Sequence, residues 1–347
     1  MPEPFEVLQV GFGSLGRHIA LSILLRENLR LVGLVDAAPN LAGAELEDQF
    51  TEDVKTNLKI EGDLQEALNR LQDSPADVAI VATSSSLVSV APLIEACLAR
   101  DMDVLSICEE LSYPYTLYPE LSFKIDEAAR EAGKTVLGTG INPGYLMDLL
   151  PIVLTAPCQR VDKIHVTRHM NSSRRRPSFQ KKIGTGMTEE EFREKIDEGI
   201  ITGHVGLVES IRMIDAALNL GLDTVEELPP EAVLAGETVT NPFTKIEKGD
   251  VLGLKSTAVG RRDDDLLVQL DFLAFAEAEP EYDEVLIDGH PRIHQRIEGG
   301  VQGDFGTVGM ILNLIPMVVS SSPGLKTMKD ITVPRNTSRV YKDSELG

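Results

Sequence analysis

Cysteine, basic charge and long apolar runs are all scarce in this sequence. Its three cysteines, Cys97, Cys108 and Cys158, are odd in number and share no CxxC spacing. This disfavours a disulfide scaffold and a four-cysteine zinc site, and it fits a protein of the reducing cytoplasm. No window approaches the ~18 uncharged apolar residues of a membrane-spanning helix. The opening residues place no basic stretch ahead of an apolar one, so we expect no secretory signal.

The charge balance is strongly acidic. The chain has 55 acidic and 33 basic residues, which gives a formal net charge of −22. Such a surface repels the phosphates of nucleic acids and anionic lipid headgroups, so neither a nucleic-acid nor a membrane partner is expected. The length of 347 residues predicts two domains, at about 150 residues per domain.

A dinucleotide-binding pattern opens the chain. Phe5–Val10 is a short apolar run with β-branched members, and it is followed by Gly11-Phe12-Gly13-Ser14-Leu15-Gly16 and an amphipathic helix. A second predicted strand, at 31–35, ends in Asp36. Strand, glycine turn, helix, strand and acidic residue in this order are typical of a Rossmann fold that binds a dinucleotide.

The pattern predicts a role for each of its glycines and for Asp36. Gly11 permits the tight turn, Gly13 lets the backbone approach a pyrophosphate, and Gly16 lets the helix sit close to the strand. The N–H groups at the helix start face the phosphate. Asp36 is placed to accept hydrogen bonds from a ribose diol and would repel a 2′-phosphate, and residues 37–41 contain no Arg or Lys. We therefore expect NAD as the cofactor, with NADP as the alternative.

The alternation of strands and helices continues to about residue 138. Predicted strands at 77–82 and 103–107 are each followed by a predicted helix, which indicates an α/β fold with a Rossmann-type, doubly wound parallel sheet. The carboxyl ends of such strands line the ligand crevice. The residues directly after these two strands are therefore expected to contact the cofactor: Thr83, Ser84, Ser85 and Cys108.

Two adjacent carboxylates, Glu109 and Glu110, lie where the chain leaves the predicted sheet, on the side that usually faces the nicotinamide. A carboxylate there could bind an ammonium group or take its proton. A helix cap or a solvated loop pair is the alternative. Side chains alternate near a strand end, so only one of the two easily points inward, and Glu109 is preferred because it lies nearer the strand.

Several segments spread over nearly the whole chain carry a family resemblance. They are GFGSLG (11–16), DVAIVATSSS (77–86), CEELSYP (108–114), GTGINPGYLMDLLP (138–151), KKIGTGMTEEEF (181–192), GHVGLVESIRMI (203–214) and EGGVQGDFGTVGMILNLIP (298–316). Together they resemble the 2,4-diaminopentanoate dehydrogenase family, which includes native NAD(P)-dependent amine dehydrogenases and is related in fold to dihydrodipicolinate reductase. GxGxxG is shared by many families, whereas CEELSYP and GTGINPGYLMD are much more specific.

The resemblance implies reversible oxidative deamination of an amine to a ketone and ammonia. It implies that the catalytic acidic residue, which belongs to the CEEL segment, is Glu109. It further implies that Asn142-Pro143-Gly144 lines the cofactor and substrate crevice and that the GDFGT segment, with Thr307, brings a late helix back to the nicotinamide. The second domain of such a protein has a mostly antiparallel sheet and pairs two subunits into a homodimer.

The sequence differs from dihydrodipicolinate reductases at the motif that is characteristic of those enzymes. Those enzymes carry His-His-x-x-Lys-x-Asp-x-Pro-Ser-Gly-Thr, in which the first His is the acid and the Lys holds a substrate carboxylate. Here His169 takes the first position, but Met170 replaces the second His, Ser173 replaces the Lys, and Phe179-Gln180 replaces Gly-Thr. The departure argues against the lysine-pathway reductase activity.

The second half of the chain has a different pattern. Strands are predicted at 161–169, 251–259, 266–276 and 292–297, and helices at 188–199, 207–220 and 306–319. This predicts a second α+β domain with a mostly antiparallel sheet, one face packed and the other available for a partner. We expect 1–145 to bind the dinucleotide, 146–304 to bind substrate and form the dimer, and a late helix within about 305–347 to return to the first domain.

The candidate substrate contacts are Tyr145, His169, Phe179 and His204. Tyr145 and Phe179 could line a pocket for a simple amine or for a diamino acid. His204 stands just before an apolar helix, where it could meet a substrate or simply cap the helix.

Other histidines and a basic patch are weaker candidates. The pairs 165/169 and 290/294 have a four-residue spacing that would place each pair on one face of a strand, but neither has a third ligand near, so no metal is predicted. Arg174-Arg175-Arg176 with Lys181-Lys182 could hold an anion or form a solvated loop.

Two other classes of function stay open at this point. One is an imine or dihydrodipicolinate-type reductase on the same scaffold, and the other is a non-catalytic protein that senses NAD. A requirement for ammonium in ketone-dependent NADH oxidation separates the amine dehydrogenase from the reductase. The small-molecule substrate itself is open, since a diamino acid needs charged pocket groups and a simple amine needs an apolar pocket.

Overall fold

The computed structural model describes residues 3–338 apart from Asp53, Arg174, Arg176 and Phe243. Its contacts divide the chain into two compact units. Unit 1 consists of the described parts of Met1–Tyr145 and Gly303–Gly347, and unit 2 of those of Leu146–Gln302. Two residues of the predicted basic patch, Arg174 and Arg176, lie outside the described residues.

Unit 1 begins with an alternation of strands and helices. The strands are β1 (Phe5–Val10), β2 (Leu29–Val35), β3 (Ile60–Glu61), β4 (Val78–Val81), β5 (Asp103–Ser106) and β6 (Thr135–Gly138). The helices are α1 (Ser14–Leu24), α2 (Leu64–Arg70), α3 (Leu87–Leu98) and α4 (Pro119–Ala132), and short 3-10 turns span Glu47–Gln49 and Glu109–Leu111.

Unit 2 is built from short helices and long strands. The helices are α5 (Leu149–Leu154), α6 (Pro177–Lys182), α7 (Glu189–Asp197) and α8 (Leu207–Leu218). The strands are β7 (Arg160–Asn171), β8 (Thr224–Glu227), β9 (Glu231–Leu234), β10 (Val239–Thr240), β11 (Lys245–Ile246), β12 (Val251–Arg262), β13 (Asp265–Phe275), β14 (Tyr282–His290) and β15 (Ile293–Glu298).

The chain then re-enters unit 1 through α9 (Gly303–Val319) and β16 (Gly324–Lys326), followed by a 3-10 turn at Met328–Asp330. The seven strands of the unit 1 sheet lie in the order β16-β6-β5-β4-β1-β2-β3, and all of their pairings are parallel. All carboxyl ends therefore lie at one edge of the sheet. Its central strands are continuous apolar runs, as in β4, where all four residues are buried, because helices cover both faces of such a sheet.

The seven-stranded sheet of unit 2 is mostly antiparallel. Its order is β15-β14-β7-β13-β12-β8, with β9 also paired to β12. Only the pairing of β7 with β13 is parallel in this sheet. Together with the parallel sheet of unit 1, this confirms the predicted α/β class and the mostly antiparallel second sheet.

Local chemistry explains where several helices begin and end. Pro119 occupies the first turn of α4, and Gly133 ends this helix in the left-handed conformation at φ 66°. Helix α7 begins with the predicted capping box, in which Thr188 and Glu191 satisfy each other's backbone N–H groups. No helix among the described residues has the length and apolar character that crossing a membrane requires.

One prediction in unit 2 was wrong. The pattern placed His290 and His294 on a single strand, but His290 ends β14 and His294 lies in β15 of the same hairpin. The sequence pattern did not reveal β14, and Pro291 stands between the two strands. The four-residue spacing therefore spans a turn and does not define a strand face.

Candidate active site

Of the three glycines in the turn after β1, two are required by the packing of the protein and one faces open space. Gly11 has φ 104°, and a Cβ there would lie 2.4 Å from the carbonyl oxygen of Ala82. A Cβ on Gly16 would lie 2.4 Å from the carbonyl oxygen of Gly11. A Cβ on Gly13 would meet no protein atom within 4 Å. The protein's own packing thus requires Gly11 and Gly16, whereas Gly13 leaves room for a ligand to approach the backbone.

The start of α1 suits a phosphate group. Helix α1 begins at Ser14, its N-cap Gly13 supplies no side-chain hydrogen bond, and its first turn has no acidic residue. Leu15 is half-buried within this turn. The first N–H groups of a helix without such a cap attract anions, because the helix dipole and the free donors act together. A dinucleotide pyrophosphate therefore fits here.

Two side chains, Gln9 and Phe12, support this turn in ways that the sequence pattern did not predict. Gln9, fully buried in β1, donates from Nε2 to the carbonyl oxygens of Gly11 at 2.8 Å and Gly16 at 2.7 Å. The ring of Phe12 is buried edge-on against Phe50, with a centroid distance of 5.9 Å. The side chain of Phe12 is thus part of the core beneath the turn, so the predicted cofactor contact of this residue would come from its backbone. The structural role of Gln9 could have been inferred from the sequence, because Gln9 is a polar residue inside an otherwise apolar strand.

Asp36 is tied to the same turn. Its Oδ2 accepts the backbone N–H of Phe12 at 2.7 Å, and its Oδ1 accepts that of Ala38 at 2.9 Å. The carboxylate is half-buried. Each carboxylate oxygen can accept more than one hydrogen bond, so these contacts fix the side chain's direction and leave acceptor sites for a ribose diol.

The hydroxyl residues after β4 form a second wall at the carboxyl edge of the sheet. Thr83 and Ser85 are exposed, and Ser84 is half-buried with its Oγ accepting the N–H of Ser86 at 3.1 Å. The carbonyl of Ser85 accepts the thiol of Cys108 at 3.0 Å. Burial raises the pKa of Cys108 to about 12. Any cofactor contact at Cys108 would therefore come from its backbone, because the thiol is protonated, buried and already hydrogen-bonded.

The two adjacent carboxylates have different surroundings. Glu110 Oε2 accepts the backbone N–H of Leu87, the first residue of α3, at 2.7 Å. Glu110 thus supplies the cap that the N-cap residue Ser86 does not provide. The carboxylate of Glu109 is half-buried and has no hydrogen-bond or ion-pair partner among the described residues. The helix-cap alternative therefore applies to Glu110 and not to Glu109.

Close backbone contacts hold the acidic turn and the next loop against β6. A Cβ on Gly138 would lie 2.6 Å from the carbonyl carbon of Leu111, so only glycine lets the Glu109–Leu111 turn come this close. In the loop that follows β6, the Thr307 Oγ1 of α9 accepts the N–H of Ile141 at 3.2 Å. Asn142 and Tyr145 of this loop are both half-buried. Unit 1 thus gathers the predicted segments around Thr83, Glu109, Asn142 and Thr307 at the carboxyl ends of β4, β5 and β6.

Unit 2 places the other candidates on different faces of its sheet. The ring of His204 stacks on Phe272 with a centroid distance of 4.1 Å, and its backbone N–H donates to Ser256 Oγ at 3.1 Å. Phe272 pairs with Arg168 in the sheet, and His169, the next residue of β7, points to the opposite face. His169 and His204 therefore lie on opposite faces of this sheet, and their contacts with a substrate stay predictions.

The ring of His169 packs against its neighbours in unit 2. Its ring stacks on Tyr282 with a centroid distance of 5.0 Å, and its Nδ1 lies 2.8 Å from the carbonyl oxygen of Pro280. Phe179 of α6 is half-buried, and the guanidinium of Arg175 lies 5.1 Å from the centroid of its ring. Within the described part of the chain, no group of three His, Cys, Asp or Glu side chains has the arrangement to hold a metal ion.

A second half-buried carboxylate, Glu227, lies near His204. Glu227 Oε1 is buried and has no hydrogen-bond partner among the residues that the structure describes. A Cβ on Gly203 would lie 2.6 Å from this oxygen and 2.8 Å from Ser256 Oγ. Burial and, to a smaller extent, the negative charge of Glu209 together raise the pKa of Glu227 to about 7. The sequence pattern gave no sign of this group.

Two sequence comparisons show which known proteins this chain is similar to. Residues 145–345 match the family model for the 2,4-diaminopentanoate dehydrogenase C-terminal domain. A curated 2,4-diaminopentanoate dehydrogenase from Acetoanaerobium sticklandii is 33% identical, over 98% of this chain and 97% of the relative.

Solved structures agree on the fold. An amine dehydrogenase from Mycobacterium smegmatis superposes with a TM-score of 0.82 at 20% identity, over 98% of this chain and 99% of that one. A dihydrodipicolinate reductase from Paenisporosarcina sp. TG-14 superposes with a TM-score of 0.53 at 10% identity, over 95% of this chain and 100% of that one. These likenesses confirm the predicted dihydrodipicolinate reductase-like fold. With the sequence matches, they establish that the chain belongs to the 2,4-diaminopentanoate dehydrogenase family.

Proposed function

We propose that this chain catalyses the NAD(P)-dependent, reversible oxidative deamination of an amine to a ketone and ammonia, with Glu109 as the catalytic carboxylate. One observation carries the assignment of the residue: of the two adjacent acids, Glu110 caps α3, while the carboxylate of Glu109 has no partner among the described residues. The 2,4-diaminopentanoate dehydrogenase that is 33% identical over nearly the whole chain supports the reaction class.

The glycine turn and Asp36 would hold the dinucleotide. The open space at Gly13 and the first turn of α1, from Ser14 to Gly16, would receive the pyrophosphate. Asp36 would accept the ribose hydroxyls while its two backbone hydrogen bonds keep it in place. Residues at the ends of β4 to β6 would surround the nicotinamide: Thr83, Ser84, Ser85, Cys108, Asn142 and Thr307.

The cofactor supplies one chemical capacity when bound, which is to accept a hydride from the amine carbon. The chain's residues handle the protons and the charge. Glu109 takes a proton from the substrate ammonium, so that the nitrogen lone pair can assist the loss of hydride. Glu109 then passes this proton to solvent, and its carboxylate stabilises the iminium cation and accepts a proton from the water that attacks the imine carbon. It returns that proton to the nitrogen of the carbinolamine. The carbon–nitrogen bond breaks as ammonia leaves, and the hydroxyl group loses its proton as the ketone forms.

We propose NAD as the preferred cofactor and NADP as the weaker one. A 2′-phosphate in place of the ribose 2′-hydroxyl would meet the negative charge of Asp36. No basic side chain follows Asp36 between residues 37 and 41 to offset this repulsion.

We further propose a cytoplasmic homodimer, with unit 1 binding the dinucleotide and unit 2 binding substrate and forming the dimer. The sheet face of unit 2 that carries His165 and His169 supports this, because half-buried side chains such as Gln269 and Leu286 lie on it. Light scattering coupled to size-exclusion chromatography tests the dimer, and a monomer at micromolar concentration would contradict it.

The reaction is tested by NADH oxidation with a panel of ketones, each with and without ammonium. An amine dehydrogenase requires ammonium, an imine reductase works on preformed imines without it, and an NAD sensor binds NADH with no turnover. We expect turnover only with ammonium. We also expect Glu109→Gln to lose this turnover while NADH binding, measured by fluorescence, is retained.

A further inference from the structure

A cavity of about 450 Å³, a volume typical of small-molecule sites, lies in unit 1 at the end of α9. Its walls come from the last turn of α9, the loop before β16 and the segment after the Met328–Asp330 turn. Strand β16 ends the parallel sheet, whereas the glycine turn follows β1, four strands away. At about 4.8 Å between neighbouring strands, β16 is about 19 Å from β1. The cavity is therefore separate from the proposed dinucleotide site.

Two basic side chains, Lys326 of β16 and Arg335, line this cavity. Neither makes a hydrogen bond or an ion pair within the part of the chain that the structure describes. Lys326 is half-buried, and its charge acts on the carboxylate of Asp126. That carboxylate is already paired with Arg130, whose Nε lies 2.7 Å from Asp126 Oδ2. Both cations of the cavity are thus available to a ligand.

Arg335 is exposed, but the segment that carries it is fixed on α9. The backbone N–H of Thr337 donates to Asn313 Oδ1 at 3.3 Å, and the Thr337 hydroxyl donates to the Asn313 carbonyl oxygen at 3.2 Å. Asn313 belongs to α9. These two bonds keep the backbone of Arg335 close to the cavity, so the second cation needs little ordering to meet a ligand there.

The carbonyl groups at the end of α9 have donors of their own. The Ser320 hydroxyl donates to the carbonyl oxygen of Pro316, and the Ser321 hydroxyl donates to that of Met317, both at 2.7 Å. These four residues all line the cavity. The two carbonyl oxygens therefore do not require Lys326 as a partner, and the side chains of Pro316 and Met317 give the cavity an apolar wall.

Asp330, the acidic residue in the lining, is satisfied in the same way. Its Oδ2 accepts the backbone N–H of Thr327 at 3.0 Å, and its Oδ1 accepts Lys329 Nζ at 2.6 Å, which offsets its charge. Ser322 and Thr332 also line the cavity, and their hydroxyls make no hydrogen bond among the described residues. The cavity thus combines two available positive charges with two available hydroxyl donors.

We propose that this cavity binds the phosphate group of a small phosphorylated metabolite. A phosphate monoester carries a charge of about −1.5 to −2 at pH 7, which matches two cations, and its oxygens accept hydrogen bonds from hydroxyls as well. A carboxylate carries a single charge and is a poorer match. The net charge of −22 repels anions in general, so binding here depends on the local donors.

Calorimetry on the full chain tests the class of ligand. The protein is saturated with NADH, which fills the dinucleotide site, and is titrated with ribose 5-phosphate and with ribose, which lacks the phosphate. We expect ribose 5-phosphate to bind about 10- to 100-fold more tightly, the range of charge-assisted hydrogen bonds. Succinate, a dianion without phosphate, should bind at least about tenfold more weakly than ribose 5-phosphate.

Three results of this titration would overturn the proposal. Equal affinities for ribose 5-phosphate and ribose would mean that the phosphate is not recognised. Equal affinities for ribose 5-phosphate and succinate would mean that any dianion is attracted. Binding of ribose 5-phosphate that saturating NADH abolishes would assign the phosphate to the glycine turn.

Variants locate the binding. Lys326→Met and Arg335→Met should each weaken ribose 5-phosphate binding about threefold to tenfold, and the double variant should lose the preference over ribose. Arg335 is exposed and makes no described contact, so Arg335→Met should fold and keeps the test decisive if Lys326→Met does not. Lys124→Met, which removes the same charge from an exposed position on α4, is the matched control and should bind as wild type does.

A helix C-terminus also attracts cations, and the same variants separate this role from ligand binding. If Lys326 and Arg335 only stabilise the end of α9, their variants lower the thermal midpoint of the ligand-free protein and leave ribose 5-phosphate affinity unchanged, which would overturn the proposal. We expect instead that ribose 5-phosphate raises the thermal midpoint of wild type and of Lys124→Met, but not that of the double variant.

Discussion

The carboxylate of Glu110 caps α3 by accepting the backbone N–H of Leu87 at 2.7 Å. This contact joins residues that are 23 positions apart, and it accounts for one of two adjacent acids at the carboxyl edge of the parallel sheet. The carboxylate of the neighbouring Glu109 makes no hydrogen bond or ion pair within the part of the chain that the structure describes.

Alanine variants of the two acids should have opposite effects. Glu109→Ala should lower kcat by about 10²-fold or more, as expected for loss of a general acid–base group, with little change in thermal stability. Glu110→Ala should lower the free energy of unfolding by about 1 kcal/mol, the usual worth of a helix cap, and keep most of the turnover. Steady-state kinetics and thermal unfolding of both variants check this. A larger loss of kcat in Glu110→Ala than in Glu109→Ala would reverse the assignment.

The glycines of the first turn should separate into a structural and a ligand-binding position. Gly13→Ala adds a methyl group where no protein atom lies within 4 Å, so the protein should fold, but KM for NAD should rise at least about tenfold because the pyrophosphate needs that space. Gly11→Ala meets the Ala82 carbonyl at 2.4 Å and a φ of 104°, so it should cost about 2 kcal/mol or more of stability. Normal NAD affinity in Gly13→Ala would contradict the predicted phosphate site.

Cofactor choice should depend on Asp36. Asp36→Ser removes the charge that would meet a 2′-phosphate, so the ratio of kcat/KM for NAD to that for NADP should fall by about tenfold. Asp36→Asn is the matched variant, since it removes the charge and keeps an oxygen for the N–H of Phe12. The two variants should shift the ratio in the same direction. An unchanged ratio in both would show that Asp36 does not select the cofactor.

Stability should depend on pH through Glu227. Burial, with help from Glu209, raises the pKa of this carboxyl to about 7 in the folded protein, against about 4.3 in an unfolded chain. The folded state therefore holds the proton over a pH range in which the unfolded state has lost it. The free energy of unfolding should fall as pH rises from about 4.3 to about 7 and then level off.

Glu227→Gln should remove this slope because the amide stays neutral. We expect the variant to be about 1–2 kcal/mol more stable than wild type at pH 8, less than the full shift because water reaches part of the side chain, and about equal to it at pH 4. Urea unfolding at several pH values measures this. Glu226→Gln, an exposed neighbour on the same strand, is the control and should follow wild type.

Local patterns were sufficient to predict the parallel sheet and the glycine turn. The strand before Gly11, the helix after it and Asp36 at the end of β2 all follow from residues close in sequence. The capping box of Thr188 and Glu191 is local in the same way. Each of these features is decided by backbone conformation and by residues less than one supersecondary unit away.

Contacts between distant parts of the chain could not be predicted in this way. The bond from Leu87 to Glu110 and the enclosure of Glu227 depend on which strands become neighbours. His169 fits a reductase motif by type, but strand register turns its ring away from the face of Arg168 and towards Tyr282. Burial and side-chain direction are set by this tertiary pairing, which residue type alone does not specify.

Unit 2 is one continuous insertion, since the chain leaves unit 1 after Tyr145 and re-enters it at Gly303. The residues that we assign to the dinucleotide lie outside this insertion, and we propose that the substrate binds within it. The sequence of a domain inserted in this way can diversify, or the domain can be replaced by recombination at its two borders, without disturbing coenzyme specificity. Evolution can in this way retune which amines are accepted while the redox half of the enzyme is inherited unchanged.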